Sequence, residues 1–260
     1  MALPEIKEIL DSFIPVNLDE IGNVRLMDRI DTKYVLSVRR IPDLLTMMDG
    51  QYKVLEINSQ RVFPYLTTYL DTDDYLFFNQ HVTGKLERNK VRYRKYETTG
   101  KTFLEVKKRT NKNRTIKWRI RDNLSDNGLN EKAIEFIKEY LSYYPLVLGP
   151  VLNNSFKRIT FAGSDFTERI TIDFDLSFSE PDGQQNDIPF IAIVEQKSER
   201  VAINSPFNTL LKKLSVHPTG FSKYCMGTAL LYDMPRKNIL KPKILLINKI
   251  ENEYNRSVST

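Results

Sequence analysis

Arg88, Lys90, Arg92 and Arg94 recur at every second residue of one short segment. Extended backbone sends alternate side chains to opposite faces, so these four cations share a face while Val91 and Tyr93 take the other. Two further segments repeat the design. From Thr102 to Arg109, Phe103, Glu105, Lys107 and Arg109 oppose Leu104, Val106 and Lys108; from Arg114 to Arg121, Thr115, Lys117, Arg119 and Arg121 oppose Ile116, Trp118 and Ile120. Between His81 and Arg121 the chain places fifteen Lys and Arg against three Asp and Glu. A face selected for solubility mixes signs. Like charges opposite one another across strands cost an amount comparable to the roughly 0.2–1 kcal/mol that a good cross-strand pair contributes, so several such rows imply a polyanionic ligand. On this reading Arg92 and Arg94 are free for an anion, and removing them costs little stability.

Three other features could join that face. Asp173 and Asp175 lie two apart on an alternating run with Arg169, and Glu195 shares a face with Lys197. Each acid alone reads as a salt-bridge partner. Beside phosphates they gain a second reading, because phosphoryl transfer uses a divalent cation held by oxygen ligands. The third is Gly220-Phe221-Ser222-Lys223, a helix start with Ser222 as N-cap, whose free N–H groups and dipole suit an anion.

The elements that must position these residues are mostly strands. Runs at Lys33–Val38, Tyr65–Asp71, Arg88–Tyr96, Thr102–Arg109, Arg114–Arg121, Asn153–Phe161, Arg169–Phe178 and Phe190–Val194 make about eight, mostly antiparallel by connection length. Helical spacing appears at Pro42–Met48, Asn130–Tyr144, Pro206–Leu214 and Ser222–Tyr232, with an amphipathic helix over 1–13. About eight antiparallel strands can close into a barrel. With the charged faces inward it is a cationic tunnel, and the inserted helices cover the apolar outer faces. The fold class is therefore α+β: an antiparallel eight-stranded barrel with inserted and flanking helices. We expect one domain over residues 1–260, with its core at about 25–232 and a basic tail over 236–260 whose end, residues 255–260, frays.

Bulk properties narrow the classes. The chain has 260 residues, 41% of them hydrophobic, and a net charge of +6, enough for a substantial core and a local anion site. The single cysteine, Cys225, excludes an intramolecular disulfide and multi-cysteine metal centres. Charged residues interrupt the first thirteen positions, so they do not read as a signal peptide, and no stretch reaches the length of a membrane span. The expected compartment is the cytoplasm. His81 and His217 have no metal-like spacing. Nucleic-acid binding predicts cations interleaved with stacking aromatics, whereas Tyr93 and Trp118 fall opposite the cations.

Taken in order, Arg29-Ile30-Asp31-Thr32-Lys33-Tyr34-Val35, Thr68-Tyr69-Leu70-Asp71-Thr72, Lys85 through Tyr96, Leu104-Glu105-Val106-Lys107-Lys108, Asn113 through Arg119, Glu168 through Phe174, Val194-Glu195-Gln196-Lys197 and Phe221-Ser222-Lys223-Tyr224 resemble the VTC domain of polyphosphate polymerases, within the triphosphate tunnel metalloenzyme superfamily. The resemblance implies a tunnel that binds ATP and threads inorganic polyphosphate, transferring the γ-phosphoryl group to the chain end and releasing ADP. It assigns phosphate contacts to Arg29, Lys33, Lys85, Arg88, Lys90, Arg92, Arg94, Lys107, Arg114, Lys117, Arg119, Arg169, Lys197, Ser222 and Lys223. Of these, Lys33, Arg92, Arg94 and Arg169, with Glu195, are the catalytic set. Glu195 would hold Mn²⁺ or Mg²⁺, with Asp173 as a further candidate.

The superfamily's N-terminal Glu-x-Glu-x-Lys signature is absent, which fits the VTC branch. Some polymerase members carry a lysine two residues before the motif serine, where this chain has Gly220. Two alternatives share the same face: a non-catalytic polyphosphate or nucleotide sensor, and a tunnel triphosphatase. Coupling to membrane transport would require a separate chain.

Overall fold

The computed structural model describes residues 3–22, 29–112, 114–141, 147–199 and 205–256. In chain order the elements are α1 (Leu3–Asp11), β1 (Pro15–Val16), α2 (Leu18–Gly22), β2 (Arg29–Ser37), α3 (Ile41–Met48), β3 (Tyr52–Leu55), β4 (Phe63–Asp71), α4 (Leu76–Val82), β5 (Arg88–Tyr96), β6 (Lys101–Arg109), β7 (Thr115–Arg121), α5 (Glu131–Tyr140), β8 (Gly149–Gly163), β9 (Glu168–Ser179), β10 (Gln185–Ile188), β11 (Ile191–Glu199), α6 (Pro206–Lys213), α7 (Lys223–Leu231) and α8 (Lys241–Arg256). One sheet runs β2-β11-β9-β8-β4-β5-β6-β7, every neighbouring pair antiparallel. The tight β5–β6 connection turns at Gly100, whose φ of +64° lies in the left-handed region that favours glycine.

The outer face of this sheet is apolar and clothed by helices in two groups. Ile41, Leu44, Leu45 and Met48 of α3 form one buried stripe at helical spacing. With Ile6 and Leu10 of α1 and Phe207 and Leu211 of α6, they cover Ile159, Phe161, Ile170, Ile172, Ala192 and Val194. Phe77 and Phe78 of α4, with Ala133 and Ile137 of α5, cover Val91, Tyr93, Leu104 and Val106. Asn130 fixes the start of α5 by accepting the Ala133 N–H at 2.8 Å. The alternation of β5 and β6 thus resolves as expected, with apolar side chains out and cations in.

Three expectations change. First, the barrel is not closed: among the described residues β2 and β7 end the strand order and do not pair. The free edge of β2 is taken instead by the segment before α7, where Tyr34 bridges Pro218 and the Thr219 N–H donates to the Lys33 carbonyl at 2.6 Å. The other edge, β7, carries Lys117, Arg119 and Arg121, whose like charges oppose bringing it against the Lys33 side.

Second, Asp175 leaves the face of Asp173. Its φ is +55°, and the β8–β9 register shifts between Ser155 and Lys157, so an extra residue in β9 breaks the alternation. Asp173 is buried, whereas Asp175 is exposed and pairs with Lys157 at 2.7 Å. Third, the tail from Arg236 is a 3-10 turn followed by α8, docked through Leu240 of the turn and Ile247 and Ile250 of the helix. Of the six final residues expected to fray, Asn255 and Arg256 close α8 and the last four lie outside the described residues. The helix expected to reach Tyr144 ends at Tyr140, with Leu141 extended as its C-cap and 142–144 outside the described residues. No helix among the described residues is long and apolar enough to cross a membrane.

Candidate functional site

The concave face is organised in cross-strand rows. Lys90, Lys107 and Lys117 stand opposite one another on β5, β6 and β7; the next row is Arg92, Glu105 and Arg119. Glu105 is 1% exposed. It accepts Arg92 Nε and Nη2 at 2.9 and 2.7 Å, and Lys117 Nζ lies 2.5 Å from its other oxygen. Its carboxyl is held well below the usual range because the pull of Arg92, Arg94 and Lys117 outweighs burial. Arg92 is therefore not free, as the sequence suggested, but neutralises a buried acid. Arg94 is buried over the Tyr65 and Phe156 rings, with Nε 3.4 Å from Thr67 Oγ1.

On the opposite arm, Glu195 receives Lys33 Nζ at 2.7 Å and lies 3.3 Å from Lys197 Nζ. The arms face one another: Lys107 senses Glu195 and Lys33, and Lys90 senses Lys33. Between them, on β8 and β9, Arg158 makes a two-pronged pair with Asp173 at 2.5 and 2.7 Å. Lys223, at the start of α7, bonds the same carboxylate and covers the Phe156 ring. Arg169, also on β9, is cross-strand from Lys197.

Helix α7 enters the concave side beyond these charges. A side chain at Gly227 would meet Phe178 at 2.4 Å and Leu152 at 2.8 Å, so the absence of a Cβ there lets the helix seat. Tyr224 stacks on Tyr69 at 5.0 Å and donates its hydroxyl to Asp71. Asp71 in turn accepts the Phe77 and Phe78 N–H groups of α4, both at 2.9 Å. One buried carboxylate therefore fixes α7 relative to α4. Ser222 caps α7 by accepting the Cys225 N–H, and Lys90 Nζ lies 2.9 Å from its hydroxyl.

Burial pushes Lys107 down to about 7, and Lys90, Lys117 and Lys223 to about 8. An anion bound among them restores their protons, so binding takes up protons from solvent. Above pH 7–8 the free site loses protons that the bound state keeps, and affinity falls. Calorimetric titration of inorganic polyphosphate in two buffers of different ionisation enthalpy should show this uptake, and weakening affinity from about pH 6.5 to about pH 8.5. Lys107→Gln should remove the largest share of the uptake; an unchanged uptake would contradict the assignment.

Of the sequence-derived set, Lys33, Arg92, Arg94, Lys107, Lys117, Arg169, Lys197, Glu195, Asp173 and Lys223 share the concave face, and Lys90 and Arg88 lead towards Ser222. Arg119 is exposed over the Phe103 ring. Arg114 falls elsewhere. It lines a cavity of about 400 Å³ on the outer side with Trp118 and Tyr140, because its position precedes β7 in the outward register. Lys85 is exposed in the loop before β5. Arg29 opens β2 opposite Glu199; its side chain lies outside the described set.

The sequence profile of the VTC domain matches residues 28–232. The chain belongs to the VTC domain family. Comparison with curated proteins found no significant match. Among solved structures, a candidate adenylate cyclase from Vibrio parahaemolyticus is 13% identical, with 76% of this chain and 95% of that one covered and a TM-score of 0.46. The Hippeastrum protein HpAC1, described as a candidate adenylyl cyclase with a dominant triphosphatase activity, is 12% identical over 81% and 99%, at 0.49. A Pyrococcus horikoshii protein is 13% identical over 84% and 99%, at 0.44. At these values none speaks to the chemistry of this VTC domain.

Within the VTC domain, sequence reasoning missed Arg158 and the central role of Glu105. Arg158 follows Lys157 directly, and two adjacent cations leave open which one alternation sends inward. The Tyr65–Phe156 stack beneath it, at 5.3 Å between a half-buried and a buried ring, was a signal only in three dimensions.

Proposed function

We propose that this VTC domain is a metal-dependent polyphosphate polymerase that transfers the γ-phosphoryl group of ATP to the end of an inorganic polyphosphate chain and releases ADP. The observation that carries this reading is the row Lys90, Lys107 and Lys117, which faces Lys33 across the concave side. Two polyanions that repel one another need such a lining to meet. A terminal oxygen of the acceptor chain attacks the γ-phosphorus, the bond to the bridging β–γ oxygen breaks, and its electron pair leaves with ADP. Positioning and charge neutralisation supply the catalysis, with no covalent enzyme intermediate. Arg94 suits a fixed phosphate because a guanidinium grips two oxygens, Arg92 and Arg158 hold the Glu105 and Asp173 carboxylates beside it, and the lysine row tolerates a chain that slides.

The residues present fit a divalent ion in one way. Among the described residues no group of three acids, histidines or cysteines converges, which suits an ion held mostly by substrate phosphates and one carboxylate. Glu195 is that carboxylate, once its lysine partners turn to phosphate. Asp173 fits poorly, because Arg158 occupies both oxygens and Lys223 also bonds one. Mn²⁺ or Mg²⁺ bound there would neutralise phosphate oxygens during transfer.

The test is incubation of the purified protein with ATP and Mn²⁺, reading a polyphosphate ladder on gels together with ADP release. We expect a ladder, lost in Glu195→Gln along with the dependence of turnover on metal concentration. ADP and free phosphate without a ladder would mark a triphosphatase. Polyphosphate binding without turnover would mark a sensor.

A further inference from the structure

The start of α7 gathers more positive charge than the motif residues explain. Lys243, half-buried on α8, brings its ammonium to within 3.8 Å of where a side chain at Gly220 would begin. Nothing else lies within 4 Å of that point. Lys243 also acts on Cys225 and His81, as Arg88 and Lys90 do. Four elements, α4, β5, α7 and α8, therefore bring His81, Arg88, Lys90, Ser222 and Lys243 together around one helix start. Among the described residues neither Arg88, Lys90 nor Lys243 pairs with a carboxylate. The Nδ1 atom of His81 is buried without a hydrogen-bond partner, and burial together with these cations keeps its ring neutral. The first N–H groups of α7, those of Lys223 and Tyr224, have no acceptor within the helix.

We propose that Lys243 is a phosphate-binding residue, and that with Arg88, Lys90 and Ser222 it forms an anion site at the start of α7 that takes a phosphate group of an inorganic polyphosphate chain. This inference rests on the polyphosphate reading above and extends that site onto α8, outside the span matched by the family profile. The ligand must be compact, multiply charged and rich in acceptors, since every group offered except the ring nitrogen of His81 is a donor. A carboxylate fills one or two of these donors; a phosphate can fill three or more.

The experiment measures affinity of the full chain for labelled long-chain inorganic polyphosphate at fixed salt. Lys243→Ala should weaken binding about tenfold, the loss of one charge-assisted contact. Lys249→Ala removes the same charge from an exposed position of α8, where Lys249 lies 3.9 Å from Glu253, and should leave affinity within about twofold. Gly220→Lys combined with Lys243→Ala should recover most of the loss, because the open space at Gly220 admits a replacement cation. Equal affinities for Lys243→Ala and Lys249→Ala would overturn the inference while leaving the polymerase reading intact. Absence of binding by the unaltered protein would overturn both. A loss in Lys243→Ala that the double variant fails to recover, accompanied by a lowered unfolding midpoint, would assign Lys243 a packing role and reject the site.

Discussion

Glu105→Ala lowers the unfolding midpoint by about 6–20 °C. Breaking a buried ion pair by removing one partner costs about 3–5 kcal/mol, and for a chain of this size each kcal/mol moves the midpoint by about 2–4 °C. The cost is concentrated because Glu105 serves two cations directly, Arg92 and Lys117, and a third, Arg94, through space. Without it three strands present only positive charge to the concave side. The same reasoning predicts rescue: a polyanion binds the folded protein alone and supplies the missing negative charge, so added polyphosphate should recover part of the midpoint. Calorimetry with and without polyphosphate checks both. A midpoint within 2 °C of the unaltered protein, on the order expected for a surface change, would reject the carboxylate as the electrostatic keystone of the face.

The second large effect concerns Arg158. Arg158→Leu should lower kcat/KM for ATP-driven chain extension by about 10²- to 10³-fold, because its loss diverts Lys223, a group aimed at transition-state charge, to the Asp173 carboxylate. Two contacts disappear at once. Asp173 is now shared between Arg158 and Lys223; with the guanidinium gone, Lys223 must neutralise it alone and is withdrawn from phosphate. Arg158→Lys should restore little, because an ammonium cannot span both carboxylate oxygens while lying over the Tyr65 and Phe156 rings. Steady-state kinetics of the two variants, with triphosphate affinity measured separately, decides the matter: near-normal turnover in Arg158→Lys would reduce the residue to a point charge.

Both residues show where sequence reading succeeds and stops. Period-two alternation placed Arg92, Lys107 and Lys117 on one face because β5, β6 and β7 run without a bulge. It failed at Asp175, where one extra residue reverses the faces and nothing in Asp173-Phe174-Asp175 announces it. Glu105 was visible as a residue but not as a partner, since pairing depends on which strands become neighbours. Helix α8 left a readable trace: Leu240, Ile244, Ile247 and Ile250 stand at helical spacing, obscured by the lysines and Pro242 around its start. The open edge had no trace at all, because it is decided by Pro218 and Thr219 reaching β2 from more than 180 positions along the chain.

Because β2 and β7 do not pair among the described residues, the rim of the charged face on that side is set by side contacts rather than by a strand ladder. Pro218 and Thr219 hold β2 at Tyr34 and Lys33, and α7 begins a few residues later. The arm that carries Lys33 and Glu195 is therefore mechanically tied to the helix that carries Ser222 and Lys223, so a displacement of either would carry the other with it.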